Sequence, residues 1–264
     1  MATYDVPIDG IGSVPISLTE RGEGPLVLLL HGGAGPQSVT GFADLLAESE
    51  RVAVITPTHP GFDGTSRPEA LATIRDLARL YIGLLDVLGR TDVTIVGNSI
   101  GGWIAAEMAL LHSVRVTGLA LIGAVGIRVP GCPVPDFFAL ALEEIADYSY
   151  HDPDRFRIDP AALSDAQRAA MAGNRAALAT YTDRSMEDPT LADRLATVTV
   201  ETLVIAGAAD RFAPPAYARA YAEAIPAARF EVLPETGHVP QLETPDRLLK
   251  SLSPFISRDE VRQP

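Results

Sequence analysis

Short β-branched and leucine-rich runs alternate along this chain with stretches of helical periodicity, and no other feature restricts the possible folds as much. The runs lie at 26–30, 51–56, 92–97, 116–122, 202–206 and 229–233. The run at 26–30 is apolar throughout, and most of the others are predominantly apolar rather than polar at every second residue. Strands buried on both faces read this way, so a parallel sheet covered by helices on each side is expected. An earlier strand at 14–18 is expected to pair with residues near 4–6. Between the runs, 74–88 sets Leu77, Leu80, Tyr81, Leu84, Leu85 and Leu88 at three- and four-residue steps, an amphipathic stripe stopped by Gly89. Residues 100–111, 215–224 and 245–252 read as further helices, the last with Thr244 as its N-cap and Pro245 in the first position. The class is α/β.

Residues 125–193 interrupt the alternation. Pro130, Pro133, Pro135, Pro153 and Pro160 break the segment, helical patterns lie near 137–146 and 161–180, and no strand is recognisable. An all-helical insertion between two strands of a parallel sheet is expected to cover the carboxyl ends of the strands, where such sheets bind ligands. The chain therefore divides into a core of 1–124 and 194–264 and a helical cap of 125–193.

Composition narrows the partners. The 264 residues are 47% hydrophobic, enough for a substantial core, and carry a formal net charge of −13. That excess of acid repels phosphate backbones and anionic lipid surfaces, which leaves a small molecule as the expected partner. Cys132 is the only cysteine, so it forms no internal disulfide and builds no zinc site alone; its Pro-Gly-Cys-Pro setting reads as a structural turn. The first ten residues lack the basic and apolar pattern of a secretory leader, and no apolar stretch approaches the roughly 20 residues that span a bilayer. A cytoplasmic location is expected.

The strongest chemical signal is Gly97-Asn98-Ser99-Ile100-Gly101, set between an expected strand and an expected helix. This is the context of a nucleophile elbow: a sharp turn lifts the serine hydroxyl out of the sheet, and glycines two residues to either side leave space that a Cβ would fill. A serine hydroxyl needs a base, and the base needs an orienting acid. Of the five histidines, His31 opens a glycine loop, His59 lies in a proline-rich turn, and His112 and His151 have no catalytic setting. His238, just beyond the run at 229–233, is the expected base. Asp210, beyond the run at 202–206, is the expected acid; Asp183, Asp188 and Asp193 fall too early, Asp63 reads as a turn residue, and Glu243 is placed to brace the histidine loop.

Carbonyl attack also requires preorganised donors for an oxyanion. One is the Ile100 amide. The other is expected from His31-Gly32-Gly33-Ala34-Gly35, at Gly33 first and at Ala34 as the alternative. This loop lacks the spacing of a dinucleotide or P-loop motif, and neither cofactor nor metal is expected.

Taken in order, His31-Gly32-Gly33, the Ser99 elbow, Asp210 and His238 resemble the α/β-hydrolase superfamily, and the resemblance spans nearly the whole chain. The stretches 97–105 and 237–243 look like its small-molecule branch, which includes carboxylesterases, lactonases, hydrolases of carbon–carbon bonds in ring-cleavage products, and proline iminopeptidase-like enzymes. The resemblance implies a mostly parallel, roughly eight-stranded sheet with helices on both faces and a helical cap. It also implies a serine hydrolase working through an acyl-enzyme. A serine at position 99 disfavours haloalkane dehalogenases and epoxide hydrolases, which place an aspartate there. Non-hydrolytic chemistry (a cyclase, lyase or acyltransferase) and a non-enzymatic ligand-binding role are the alternatives on the same fold. For a substrate carboxylate, the expected cap offers Arg128, Arg155, Arg157, Arg168 and Arg175; for a substrate amine it offers Glu143 and Glu144.

Overall fold

The computed structural model describes residues 1–257. Eight strands form one sheet: β1 (Ala2–Ile8), β2 (Gly12–Arg21), β3 (Leu26–Leu30), β4 (Ala53–Pro57), β5 (Val93–Asn98), β6 (Val116–Ile122), β7 (Glu201–Gly207) and β8 (Arg229–Leu233). Their order across the sheet is β1-β2-β4-β3-β5-β6-β7-β8. The β1–β2 hairpin pairs Tyr4 with Ile16 and Val6 with Val14, as the sequence suggests, and β2 pairs antiparallel with β4. From β4 onward all pairings are parallel.

Ten helices connect the strands among the described residues: α1 (Gln37–Glu50), α2 (Ile74–Val87), α3 (Ile100–Leu110), α4 (Leu142–Ser149), α5 (Pro153–Phe156), α6 (Asp165–Tyr181), α7 (Leu191–Leu195), α8 (Pro215–Ala224), α9 (Pro240–Glu243) and α10 (Pro245–Ile256). The apolar runs follow from the two cores that the sheet separates. Leu26, Leu28 and Leu30 of β3 face a core shared with α2, α3 and α8, while Val27 and Leu29 face the core under α1 and α10. The two edge strands depart from this: Glu231 and Val232 of β8 are exposed, as are Ala2, Thr3, Asp5 and Pro7 of β1.

Local boundaries differ from the sequence reading in several places. Helix α1 is not among the helices expected from the sequence, although Val39, Phe42, Ala43, Leu46 and Ala47 form its buried stripe. The helix expected near 137–146 begins only at Leu142, because the backbone at 137–140 turns its carbonyls to the Arg175 guanidinium. The helix expected from 161 starts at Asp165, where Ser164 and Gln167 form a reciprocal capping box. Thr244 does precede α10, but its hydroxyl bonds Thr236 rather than a helix amide. The stretch between β6 and β7 is helical, with one isolated bridge, Gly126 to Glu187, where its two ends meet.

The chain leaves β3 for β4 on one side and returns to β5 on the other, so the loops after β3 and β5 diverge at a topological switch point. A buried aromatic network fixes the first of these loops. His31 Nδ1–H donates to Gly32 O at 2.8 Å, and its Nε2 accepts from the His59 amide at 3.1 Å. His59 Nε2–H donates to His31 O at 2.9 Å, which leaves its Nδ1 to accept from the Tyr81 hydroxyl at 2.5 Å. Every ring nitrogen is satisfied with both imidazoles neutral. Burial holds both rings in that form: it lowers the pKa of His31 from 6.5 to about 4 and that of His59 well below its usual value.

Between pH 6.5 and 4 the unfolded chain therefore binds a proton at His31 that the folded chain refuses. Stability contributed by the neutral ring is complete above this window and is lost as the pH falls through it, by roughly 3 kcal/mol. The thermal midpoint should begin to fall below about pH 6.5, ahead of the carboxylate range. A midpoint that stays level from pH 7 to about 4.5 would count against the neutral pair.

Candidate active site

The turn from β5 into α3 packs backbone against backbone. A Cβ on Gly97 would lie 2.2 Å from Gly101 O, and one on Gly101 would lie 2.3 Å from Leu30 O, so neither position accepts a side chain. Ser99 between them has φ 57° and ψ −119°, a conformation that costs an L-residue energy and persists because the surroundings impose it. Its amide donates to Ile122 O at 2.9 Å, which docks the turn onto the end of β6.

Asp210 follows β7 and His238 follows β8. The two side chains meet, with Asp210 Oδ2 accepting from His238 Nδ1 at 2.8 Å, and Asp210 is completely enclosed. The other carboxylate oxygen accepts from the amides of Phe212 and Ala213, each at 2.8 Å. A carboxylate can only accept, so the histidine proton sits on Nδ1 and Nε2 is left as the basic nitrogen. Ser99, His238, Gly33, Ala34 and Ile100 all line one cavity of about 540 Å³. Asp210 stands behind His238 and does not line it. The Ser99 hydroxyl makes no hydrogen bond within 3.5 Å among the described residues.

Several supporting residues carry no motif. Asn98, beside the serine, donates through Nδ2 to Ile122 O at 3.2 Å and to His238 O at 2.9 Å, and Gln241 Nε2 donates to Asn98 Oδ1 at 3.0 Å. The elbow and the histidine loop are thereby tied directly. Gly123, at the end of β6 with φ 50°, lies under the Asp–His pair: a Cβ there would be 3.1 Å from both Asp210 Oδ2 and His238 Nδ1. Neither Asn98 nor Gly123 is marked by the local sequence, since their contacts are with residues remote in the chain.

Glu243 does brace the histidine loop, and it reaches further than that. Its Oε2 accepts from the Gly237 amide at 2.6 Å, while Oε1 accepts from the amides of His151 and Asp152 at 2.8 and 3.0 Å. The His238 amide donates to Ser149 O at 2.6 Å, and the Arg211 amide to Tyr148 O at 3.1 Å. The end of α4 is thus joined to the loops of both His238 and Asp210. On the opposite side, Asn174 Oδ1 of α6 accepts from the Asp63 amide at 2.8 Å, and the Tyr181 hydroxyl donates to Pro60 O at 2.9 Å.

The other sequence candidates lie elsewhere. His31 and His59 sit beneath the glycine loop, while His112 and His151 are exposed. Asp183 and Asp193 are exposed, and Asp188 pairs with Arg75 and Arg194 at 2.9 and 2.8 Å. Cys132 is a free thiol in its turn. Among the described residues, no three His, Cys, Asp or Glu side chains are grouped to hold a metal ion, and no helix is long and apolar enough to cross a membrane.

A sequence profile described as "Alpha/beta hydrolase family" matches residues 27–250, which takes in every element of this site. The chain belongs to that family. The hydrolase is 30% identical to the 2-hydroxymuconate semialdehyde hydrolase of Pseudomonas putida, over 93% of this chain and 92% of that one. It is 27% identical to the 2-hydroxy-6-oxo-2,4-heptadienoate hydrolase of Pseudomonas putida strain F1, over 94% and 95%. An esterase from Thermogutta terrifontis has the same fold, with a TM-score of 0.79 at 23% identity over the full length of both chains. Like these relatives, the chain is a hydrolase enzyme.

Two substitutions away from Ser99 probe how the hydrolase holds its site. Gly123→Ala should leave the fold intact, at a backbone cost of about 1 kcal/mol, yet reduce kcat by displacing the Asp–His pair. Steady-state kinetics alongside circular dichroism measure this, and unchanged kcat would show that the pair tolerates the methyl. Glu243→Gln keeps one acceptor oxygen but turns an NH2 toward an amide donor. It should lose about 1 kcal/mol in denaturant unfolding and lower kcat as well.

Proposed function

We propose that the protein is a serine hydrolase that cleaves an ester-like carbonyl of a small molecule through Ser99, His238 and Asp210. The observation that carries this reading is the 2.8 Å contact from Asp210 to His238 Nδ1, which leaves Nε2 basic in the cavity that Ser99 also lines. His238 Nε2 takes the hydroxyl proton as Ser99 Oγ attacks the carbonyl carbon, and Asp210 stabilises the imidazolium. The Ile100 amide and that of Gly33, with Ala34 as the alternative, receive the oxyanion. Collapse of the tetrahedral intermediate expels the alcohol, which leaves with the proton from His238. Water then attacks the acyl-serine with His238 again as base, releasing the acid and restoring the hydroxyl. No step calls on a cofactor.

On this reading residues 125–193 act as a cap. Several of their side chains, among them Leu142, Tyr150 and Leu178, line the cavity above Ser99. Cleavage of the compounds named for the Pseudomonas relatives, a 2-hydroxymuconate semialdehyde and a 2-hydroxy-6-oxo-2,4-heptadienoate, would call on the same groups.

Ser99→Ala and His238→Ala should each lower turnover of an aryl ester by about 1,000-fold or more with the fold preserved. Asp210→Asn, which disturbs the histidine tautomer, should cost a similar factor. A fluorophosphonate probe should label the wild type and not Ser99→Ala. An unlabelled, folded wild type would sink the nucleophile assignment. Product analysis in ¹⁸O-enriched water separates hydrolysis from lyase or transferase chemistry, because only hydrolysis must put the label into the acid.

A further inference from the structure

We propose that His31 is a positioning residue for the reaction: it fixes the direction of the Gly33 amide and so makes Gly33, rather than Ala34, the second donor to the oxyanion. The inference rests on the Ser99 reading above and concerns a residue outside the cavity wall. His31 Nδ1–H donates to Gly32 O at 2.8 Å. That carbonyl and the Gly33 N–H belong to one peptide unit. A trans peptide is planar and its C=O and N–H point in opposite directions, so a hold on Gly32 O sets the aim of the Gly33 amide. His31 is fully buried and does not line the cavity, whereas Gly33 lines it together with Ser99. The Gly33 N–H, directed away from the imidazole, has no hydrogen-bond partner among the described residues.

Several contacts make the hold rigid. Gly32 O also accepts from the Gly35 amide at 3.1 Å, and hydrogen bonds accepted by a carbonyl polarise the amide of the same peptide as a donor. The imidazole of His31 keeps a single tautomer, because its Nε2 faces the His59 amide, which can only donate. The His59 ring in turn donates to His31 O, so the two peptides that open the loop are each gripped by a buried imidazole. Leu178 of α6 covers Gly33, where a Cβ would lie 3.1 Å from Leu178 Cδ2. Gly32 packs on the elbow, where a Cβ would lie 3.1 Å from that of Ser99. The next peptide, between Gly33 and Ala34, is held by no hydrogen bond at its carbonyl or its amide among the described residues. An oxyanion donor acts by being in place before the charge develops, and of the two amides only that of Gly33 meets the condition.

Two substitutions separate aim from packing. A Gln side chain reaches the position of the imidazole Nε2, so His31→Gln keeps an acceptor for the His59 amide but loses the donor to Gly32 O. An Asn side chain reaches the position of Nδ1, so His31→Asn keeps that donor and loses the acceptor. His31→Gln should lower kcat for 4-nitrophenyl acetate about 100-fold with KM little changed, and His31→Asn should recover most of that loss. Undiminished kcat in His31→Gln, or kcat no higher in His31→Asn than in His31→Gln, would overturn the proposal. A measurement on the wild type stands whether or not either variant folds. Addition of Ser99 Oγ to the carbonyl carbon of benzyl trifluoromethyl ketone passes the serine proton to His238 and leaves the carbonyl oxygen as an oxyanion. In ¹H–¹⁵N spectra of that adduct the Gly33 amide proton should move downfield, and further than that of Ala34. A larger movement at Ala34, or none at Gly33, would overturn the assignment. A wild type that forms no adduct and takes no fluorophosphonate would instead remove the Ser99 reading on which the inference stands.

Discussion

The site depends on a contact between backbones. Gly97 and Gly101 let β5, α3 and the end of β3 approach more closely than any Cβ allows, and Ser99 is held between them in a strained conformation. Everything that serves the serine is arranged around that fixed turn. The Ser99 amide is pinned to β6, the Asn98 side chain to the histidine loop, and the glycine loop after β3 lies alongside because β3 and β5 are neighbours in the sheet. The strain is local, and the two cores on either face of the sheet resist its release.

Strand order converts this turn into a site. β3, β5, β6, β7 and β8 lie side by side and parallel, so the residues beyond their carboxyl ends converge although they are widely spaced in the chain. Gly33, Ser99, Gly123, Asp210 and His238 each follow one of these strands. The helical segment joins the same assembly at the end of α4, whose carbonyls and amides bond the loops of Asp210 and His238 directly and through Glu243. A shift of α4 would therefore be felt at the histidine, and this gives the cavity wall a mechanical link to the Asp210–His238 pair beneath it.

Charge is distributed with a similar economy. The chain is strongly acidic as a whole, yet among the described residues the cavity wall contains no carboxylate, and its two arginines make hydrogen bonds to backbone carbonyls and Asp165 and lie against aromatic rings. Sequence reading could name Arg168 and Arg175 among the cations of this segment but could not say that they hold the segment together. Their partners are irregular loops at 137–140 and 160–163, whose shapes no periodicity encodes.

By itself, the sequence determined the parallel sheet, because strands buried on both faces must be apolar at every position. It also determined the elbow, because only glycine fits on either side of Ser99. Chain order then singled out His238 and Asp210 as a pair, and the structure brings their side chains into contact at 2.8 Å. The tertiary structure alone decided which residues support them. Gly123, Asn98, Gln241 and Tyr81 act through contacts with strands, loops or rings far away in sequence, and a local pattern carries no record of such contacts. It alone also decided the character of the cavity. Whether an arginine offers its charge to a ligand or spends it on a loop depends on where its guanidinium comes to rest, and packing sets that position.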